Sequence, residues 1–533
     1  MTNNSTGFVY HYHQRTKHQL NAYAKGPEFL DWEQQPNPFR IFSGCPKINL
    51  PSPGKDLPTL FADLDSLDAI PSRPLDLTNL GLMLELAFGL SAWKQHGPDR
   101  WALRCNPSSG NLHPTEAYLI CTDSQLLKPG VYHYVSHDHL LERRSEIDTN
   151  KQLLTEEVYI GLSSIHWREA WKYGERAFRY CQHDIGHALA GLSYAAAVLG
   201  WSVELCSEAA DVDIASWLGL DREQDFVKTE QEHPDLICRL RIGKPLSKAI
   251  DNMALSQTLQ SSQWCGKAEA LCDRHFFRWP VIEEVAKHTQ KSITATDRWQ
   301  ASTRELPLPR NNIRTSQLIR QRRSAQQFNG KASPLALSDF QRILLTLLPN
   351  TKPPFTAWNW SPQIHLVLFV HRVEGLEPGL YFLPRDPQVV TELQNIFPAE
   401  FNWQAIAGPC ELYQLNQADI RQASKTLSCH QSIASDSAFS LAMLARFSDN
   451  IDQAPWHYRR LFWECGLLGQ ILYLEAEAAG IRGTGIGCFF DDQVHGVLGL
   501  TNTKWQTLYH FTLGEPIIDN RLQTLPAYAH LLR

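Results

Sequence analysis

The chain has 533 residues, 43% of them hydrophobic, which is enough for more than one buried core and too long for a single ordinary domain. Its net charge of −6, with no block of like charges, excludes nucleic acid or an anionic membrane as a partner recognised by charge. Residues 1–10 lack a basic stretch followed by an apolar one, no run approaches the ~20 apolar residues that span a bilayer, and the 12 scattered cysteines contain no Cys-x-x-Cys pair. A cytoplasmic chain with reduced thiols is expected, without a disulfide framework and without a metal site.

Residues 1–69 read as an N-terminal extension. Tyr10-His11-Tyr12-His13, Thr16-Lys17-His18, Asp31-Trp32 and Pro36-Asn37-Pro38-Phe39 are too specific for a floppy tail, and packing across the rest of the molecule is favoured over a cover for a substrate entrance. Leu77–Leu90 carries apolar residues at helical spacing behind a capping segment. Glu116–Cys121 is a short β-rich run that leads to Pro129-Gly130-Val131-Tyr132. A long helix between Phe178 and Trp201 has an alanine-rich face at Ala188, Ala190, Ala195, Ala196 and Ala197, suited to close packing across an interface. It also holds His183 and His187, four apart, but no third ligand accompanies them. Asp235–Ile242 reads as a strand, residues 251–305 as a linker with its own helix around Ile282–Lys291, and residues 306–533 as a second unit.

That second unit repeats the first. Leu335-Ala336-Leu337 answers Leu75-Asp76-Leu77, and Pro378-Gly379-Leu380-Tyr381 answers Pro129-Gly130-Val131-Tyr132. A helical run from Arg459 to Ile481 answers Phe178–Trp201, with Gly480 for Gly200, and Leu498-Gly499-Leu500 answers Leu218-Gly219-Leu220. Gly514-Glu515-Pro516 answers Gly243-Lys244-Pro245, and the strands Ile364–Val370 and Trp505–Leu513 complete the set. Order is kept while the offset drifts slowly, which is the mark of duplication with loop insertions. The expected fold is α+β, one unit over residues 70–250 and its copy over 306–533, joined as an intramolecular pseudo-dimer.

Two motifs differ between the copies. Pro107-Ser108-Ser109-Gly110-Asn111-Leu112-His113-Pro114 lies in the first, and its counterpart is Ala357-Trp358, bulky and without hydroxyls. Ile319-Arg320-Gln321-Arg322-Arg323-Ser324 lies in the second, and its counterpart Ala62-Asp63-Leu64 cannot hold a phosphate. Arginine offers a charged planar fork that matches phosphate oxygens, and serine adds a hydroxyl. Each copy therefore keeps what the other lacks, and one composite site is expected where a symmetric dimer would have two.

Arg322-Arg323-Ser324, the Pro-Ser-Ser-x-Asn-x-x-Pro segment, the Gly485-Ile486-Gly487 turn after the central helix and a terminal Gly-x-Pro-x-x-Asp-x-Arg ending at Arg521 together resemble the nitroreductase superfamily. The tandem length and Lys172-Tyr173-Gly174-Glu175-Arg176 resemble more closely its SagB/ThcOx-type dehydrogenases, which oxidise azolines to azoles. The resemblance covers roughly residues 70–245 and 310–530. It implies one FMN, its phosphate held by Arg322, Arg323, Ser324 and Arg521, and its ring and ribityl chain lined by Pro107, Ser108, Ser109, Asn111, His113, Gly485, Ile486 and Gly487. Gln326 stands where the family often has another basic residue. It also implies Lys172 and Tyr173 as the catalytic pair, lysine taking a proton and tyrosine donating or relaying one. Their counterparts are Asp452 and Gln453.

The expected activity is FMN-dependent dehydrogenation of a heterocycle in a modified peptide or small molecule, with oxygen as acceptor and a biosynthetic complex as a possible setting. Two alternatives stand beside it. One is an NAD(P)H-dependent reductase of nitro compounds, quinones or enones, and the other is a degenerate flavin-fold binding partner in such a complex.

Overall fold

The computed structural model describes the chain except residues 1, 52–53, 67–68, 148–156, 244–251, 261, 295–298, 300, 308, 310–311 and 532–533. Lys244 and Pro245 of the repeat thus lie outside the described residues. Helix α1 (Thr2–Arg15) comes first. The first half continues with β1 (Lys47–Asn49), α2 (Leu77–Phe88), a hairpin β2 (Leu90–His96) and β3 (Asp99–Arg104), then β4 (Thr115–Cys121), β5 (Gly130–Val135), β6 (Leu140–Arg143) and β7 (Val158–Ser164). It ends with α3 (His166–Tyr173), α4 (Ala177–Ala197), β8 (Trp201–Leu205), α5 (Asp211–Leu218) and β9 (His233–Ile242), and α6 (Pro280–His288) follows. The second half opens with α7 (Thr315–Gln321), α8 (Leu337–Leu347), β10 (Ile364–Val370), β11 (Gly379–Leu383), β12 (Gln404–Ile406), β13 (Leu412–Gln417) and β14 (Phe439–Arg446). It closes with α9 (Phe447–Gln453), α10 (His457–Ala478), β15 (Arg482–Ile486), α11 (Asp491–Val497), β16 (Trp505–Gly514) and β17 (Gln523–Leu525).

Each half builds a seven-stranded antiparallel sheet, ordered β8-β9-β7-β4-β5-β6-β1 in the first and β15-β16-β14-β10-β11-β13-β12 in the second. The two orders agree over six positions, from β8 and β15 to β6 and β13; the seventh differs, β1 coming from the N-terminal extension and β12 from between β11 and β13. Register follows from alternation: Leu119, Cys121, Leu366 and Leu368 face one large core shared by both halves. Their neighbours Tyr118, Ile120, Val367 and Phe369 face two smaller outer cores, one per half. The duplicated α+β fold is thereby plain in the strand order. Helix α2 is capped as expected, Asp76 accepting from the Asn79 N–H at 2.8 Å. Its copy α8 starts instead behind Ala336, with no side-chain cap, and has Asp339 in its first turn.

The centre of the molecule is the crossing of α4 and α10, α4 buried along its whole length. Both helices carry glycine where they touch. A Cβ on Gly186 would lie 2.1 Å from the Trp463 carbonyl oxygen, and one on Gly466 would lie 2.0 Å from that of His183. The alanine face therefore borders a glycine contact on the pseudo-twofold axis. Matching buried ion pairs flank it: Arg179 meets Asp491 at 2.9 Å, and Arg459 meets Asp211 and, at 3.1 Å, Asp235.

Two segments tie the halves further. Helix α1 lies across both, Arg15 pairing with Glu175 at 2.6 Å while Tyr10 donates to Asp452 at 3.0 Å. Strand β17 of the second half pairs with β2 of the first, making a three-stranded sheet β17-β2-β3. That hairpin has no counterpart in the second half, where α8 runs on to a 3-10 turn at Phe355–Ala357. Among the described residues no helix is long and apolar enough to cross a membrane.

Candidate functional site

A cleft of about 350 Å³ opens between the halves, within the range of small-ligand sites. The first half supplies the loop Pro107–Asn111 and the hairpin residues Lys94, Trp101 and Arg104. The second supplies Arg322, Arg323, Ser324, Gln326, Tyr473 and Gly485, with Ile517, Ile518, Asp519 and Leu522 forming a further wall.

The loop is built on left-handed backbone at three positions, Gly110 (φ 59°), Asn111 (φ 60°) and His113 (φ 52°). Glycine at 110 is required twice over, because a Cβ there would lie 2.7 Å from the Tyr173 hydroxyl and 3.2 Å from Lys172 Nζ. Asn111 uses its amide to hold the loop, donating to the Ala102 carbonyl at 2.8 Å, while its oxygen is 2.9 Å from His113 Nε2. The His113 N–H donates to Ser108 Oγ at 2.8 Å. Burial and the nearby Arg104 hold the His113 ring neutral. His113 thus braces the loop from behind and does not line the cleft.

On the opposite wall the Arg322 guanidinium lies 5.0 Å from the Tyr473 ring centre and donates to the Cys105 carbonyl at 3.1 Å. Its Nη1 is buried without a hydrogen-bond partner among the described residues. Tyr473 Oη sits 2.9 Å from Ser324 Oγ and accepts from the Gly485 N–H at 3.1 Å. Lys94, Arg322, Arg323 and Arg482 converge here. Burial and then Arg322 bring Arg323 down to about 10, and burial followed by Arg323 and Arg482 lowers Lys94. Glu477 is the nearby countercharge, 4.0 Å from Arg482. Burial pushes its carboxyl up while the three arginines pull it back. Four cations around one carboxylate suit an anion of two charges, and the unpartnered Arg322 Nη1 is a ready donor to it.

The floor between these walls is Asp184, with His187 and Tyr509 beside it. Burial pushes the Asp184 carboxyl up to about 8, the Ser108 hydroxyl and Ser109 amide offsetting this only in part. Burial and Asp184 raise Glu169 in the same sense, and Ser108 Oγ donates to Glu169 at 3.4 Å. The floor is therefore close to neutral, as an uncharged aromatic ring requires. His183 and His187 turn toward β16, to the Leu508 carbonyl at 3.1 Å and the Tyr509 hydroxyl at 3.2 Å. The donor set, the orphaned Arg322 nitrogen and the neutral floor fit FMN.

Lys172 and Tyr173 end α3 and press on Gly110 of the cleft loop. Tyr173 packs edge-on against Tyr180 at 4.6 Å, and burial raises its phenol so that it stays protonated. Gly485 reaches the cleft wall, whereas Ile486 is buried and the Gly487 carbonyl accepts from Arg176 at 3.0 Å. Arg521 departs from expectation. Its side chain is 80% exposed and pairs with Asp519 at 2.7 Å, because the intervening turn brings those two groups together before the arginine can reach the cluster. Lys94, Arg482, Asp184 and Tyr473 were not anticipated. The one signal for Asp184 is an acid inside a helix buried all round.

The counterpart site is packed solid. Ala62, Asp63 and Leu64 lie in a 3-10 turn whose Phe61 and Leu64 are buried, and Ala357 and Trp358 are buried too. Arg342 beside them is neutralised by Glu475 at 2.8 Å and Asp65 at 3.0 Å.

Fold and cleft together define a nitroreductase-like fold duplicated within one chain. Residues 319–515 match the nitroreductase family model. The chain superposes on the crystal structure of a candidate nitroreductase from Anabaena variabilis with a TM-score of 0.69, at 24% identity, over 96% of this chain and 99% of that one. A candidate nitroreductase from Ralstonia eutropha aligns over 42% of this chain and 99% of its own, with a TM-score of 0.27 and 16% identity. A candidate nitroreductase of Methanocaldococcus jannaschii is 27% identical over 139 residues, 24% of this chain and 67% of that protein.

Proposed function

We propose that the protein is an FMN-dependent oxidoreductase that dehydrogenates an azoline to an azole in a modified peptide or small molecule. The observation that carries this reading is the contact of Lys172 and Tyr173 with Gly110, on a loop that lines the cation-rich cleft. Arg322, Arg323, Ser324 and Lys94 would hold the phosphate, Tyr473 and Gly485 fix the wall beside them, and Asp184 would serve the ring as an uncharged neighbour. Bound FMN supplies the two-electron acceptor.

Oxidising an azoline removes one hydride equivalent and one carbon-bound proton. The Lys172 amine takes that proton, and the Tyr173 phenol, neutral through burial, donates a hydrogen bond to the ring heteroatom. The missing Cβ at Gly110 lets both side chains approach the loop. Trp101, Leu103 and Leu522 form an apolar rim that excludes water.

The test begins with flavin released from the purified protein, expected at roughly one per chain because one of two pseudo-symmetric sites is intact. Anaerobic mixing with a thiazoline-bearing peptide should then bleach the flavin band, and Lys172→Ala and Tyr173→Phe should slow the bleaching by about 10²-fold or more at unchanged flavin content. Bleaching by NADPH but not by azoline, at equal rates in both variants, would make the protein a reductase. No flavin after reconstitution would leave a binding partner without redox chemistry.

A further inference from the structure

We infer that Glu230, Cys272 and His275 form a site for a zinc-like divalent cation, on the seam between the first half and the 262–279 segment that has no counterpart in the second. Their ligand atoms all lie within 4.8 Å of one another. Cys272 Sγ is 3.7 Å from Glu230 Oε1, and His275 Nε2 is 2.9 Å from the same oxygen. Tetrahedral zinc, with bonds near 2.3 Å to sulfur and near 2.0–2.2 Å to nitrogen and oxygen, sets its ligands roughly 3.3–3.7 Å apart. The Cys272–Glu230 separation already matches, and the His275–Glu230 one needs to open by about 0.4 Å. Thiolate with imidazole favours zinc over magnesium or calcium.

The surroundings orient each ligand, as outer partners do in built metal sites. Glu230 Oε2 is held by the Leu271 N–H at 3.0 Å and faces Arg40 at 3.8 Å, which leaves Oε1 to the other two. Trp167 donates to Cys272 Sγ at 3.3 Å and stacks on the His275 ring at 3.9 Å. The triad opens on a cavity of about 830 Å³, where water or the carboxylate of Asp273 can complete the coordination. The Cys-x-x-His spacing is invisible to a search for paired cysteines, and Glu230 lies far from it in sequence. His166 and Glu283 line the same cavity with His233 beside them, but the two rings stack at 4.2 Å and 15°, so their in-plane lone pairs run side by side and do not converge. Trp167 belongs to α3, so an ion here would fasten the 262–279 segment to the helix that bears Lys172.

The test uses the full chain, stripped with a chelator and titrated with zinc(II) alone, and in parallel with cobalt(II) as a spectroscopic probe. We expect one ion per chain and a thiolate-to-cobalt charge-transfer band. Cys272→Ser should abolish the band, and Cys272→Ser, His275→Ala and Glu230→Gln should each weaken zinc at least about tenfold. Circular dichroism of the ion-free variants should match the parent, and Glu230→Gln serves if either of the others fails to fold. Absence of the band in the parent chain, or zinc retained in Cys272→Ser and lost in His233→Ala, would overturn the assignment.

Discussion

Arg322 carries the sharpest energetic statement at the scale of single residues. A buried guanidinium with one nitrogen unpaired is costly until an anion arrives, so binding energy is concentrated there. Arg322→Ala should weaken FMN by roughly ten- to a hundredfold, since each hydrogen bond to a charged group contributes about 1.5–3 kcal/mol. Arg521→Ala should leave affinity within about twofold, as an exposed pair contributes little. Titration of the apoprotein with FMN, followed by fluorescence quenching, checks both, and equal losses would return Arg521 to the phosphate. Arg322, Arg323 and Ser324, which line the cleft, were legible because three side chains of a kind that suits phosphate stand together. Lys94, Arg482 and Tyr473 each arrive alone from a separate element, and an isolated residue gives a sequence reader nothing to count. Arg521 misled because a terminal Asp-x-Arg is also a local ion pair.

Among the elements, α4 and α10 depend on one pair of glycines. Gly466→Ala would place a methyl carbon 2.0 Å from the His183 carbonyl oxygen and force apart two helices that are buried almost throughout. The expected loss is about 1–3 kcal/mol or more, read as a lower urea midpoint. Gly7→Ala in α1 meets nothing within 4 Å and should be neutral or slightly stabilising, which separates the packing effect from helix propensity. The repeat was legible because both copies kept these helices and their Pro-Gly-[Val/Leu]-Tyr turns. The β2-β3 hairpin and its pairing with β17 were not, since that pairing joins residues more than 400 apart and leaves no periodic trace. Helix α8 shows the limit of capping signals: Ser338 and Asp339 mark its start, yet neither occupies the cap.

For the molecule as a whole, the cleft takes walls from both halves, so occupancy of the proposed cofactor site would be linked to folding. FMN at a hundred times its Kd should raise the unfolding free energy by about 2.7 kcal/mol, and the gain should fall to about 0.4–1.4 kcal/mol in Arg322→Ala at the same concentration. Differential scanning calorimetry checks this, and an Arg322→Ala chain stabilised as strongly as its parent would mean that FMN binds elsewhere. The pairing of β17 with β2 carries a consequence for synthesis. Residues 107–111 leave the ribosome about two hundred residues before Arg322, and the wall at Ile517–Leu522 follows about two hundred residues later still. At about 5–20 residues per second, some 20 to 80 seconds separate the birth of the loop from the closing of the cleft over it. Through that interval the nascent first half waits with its loop and its hairpin edge uncovered, and the cleft has both its walls only once Leu522 has been made.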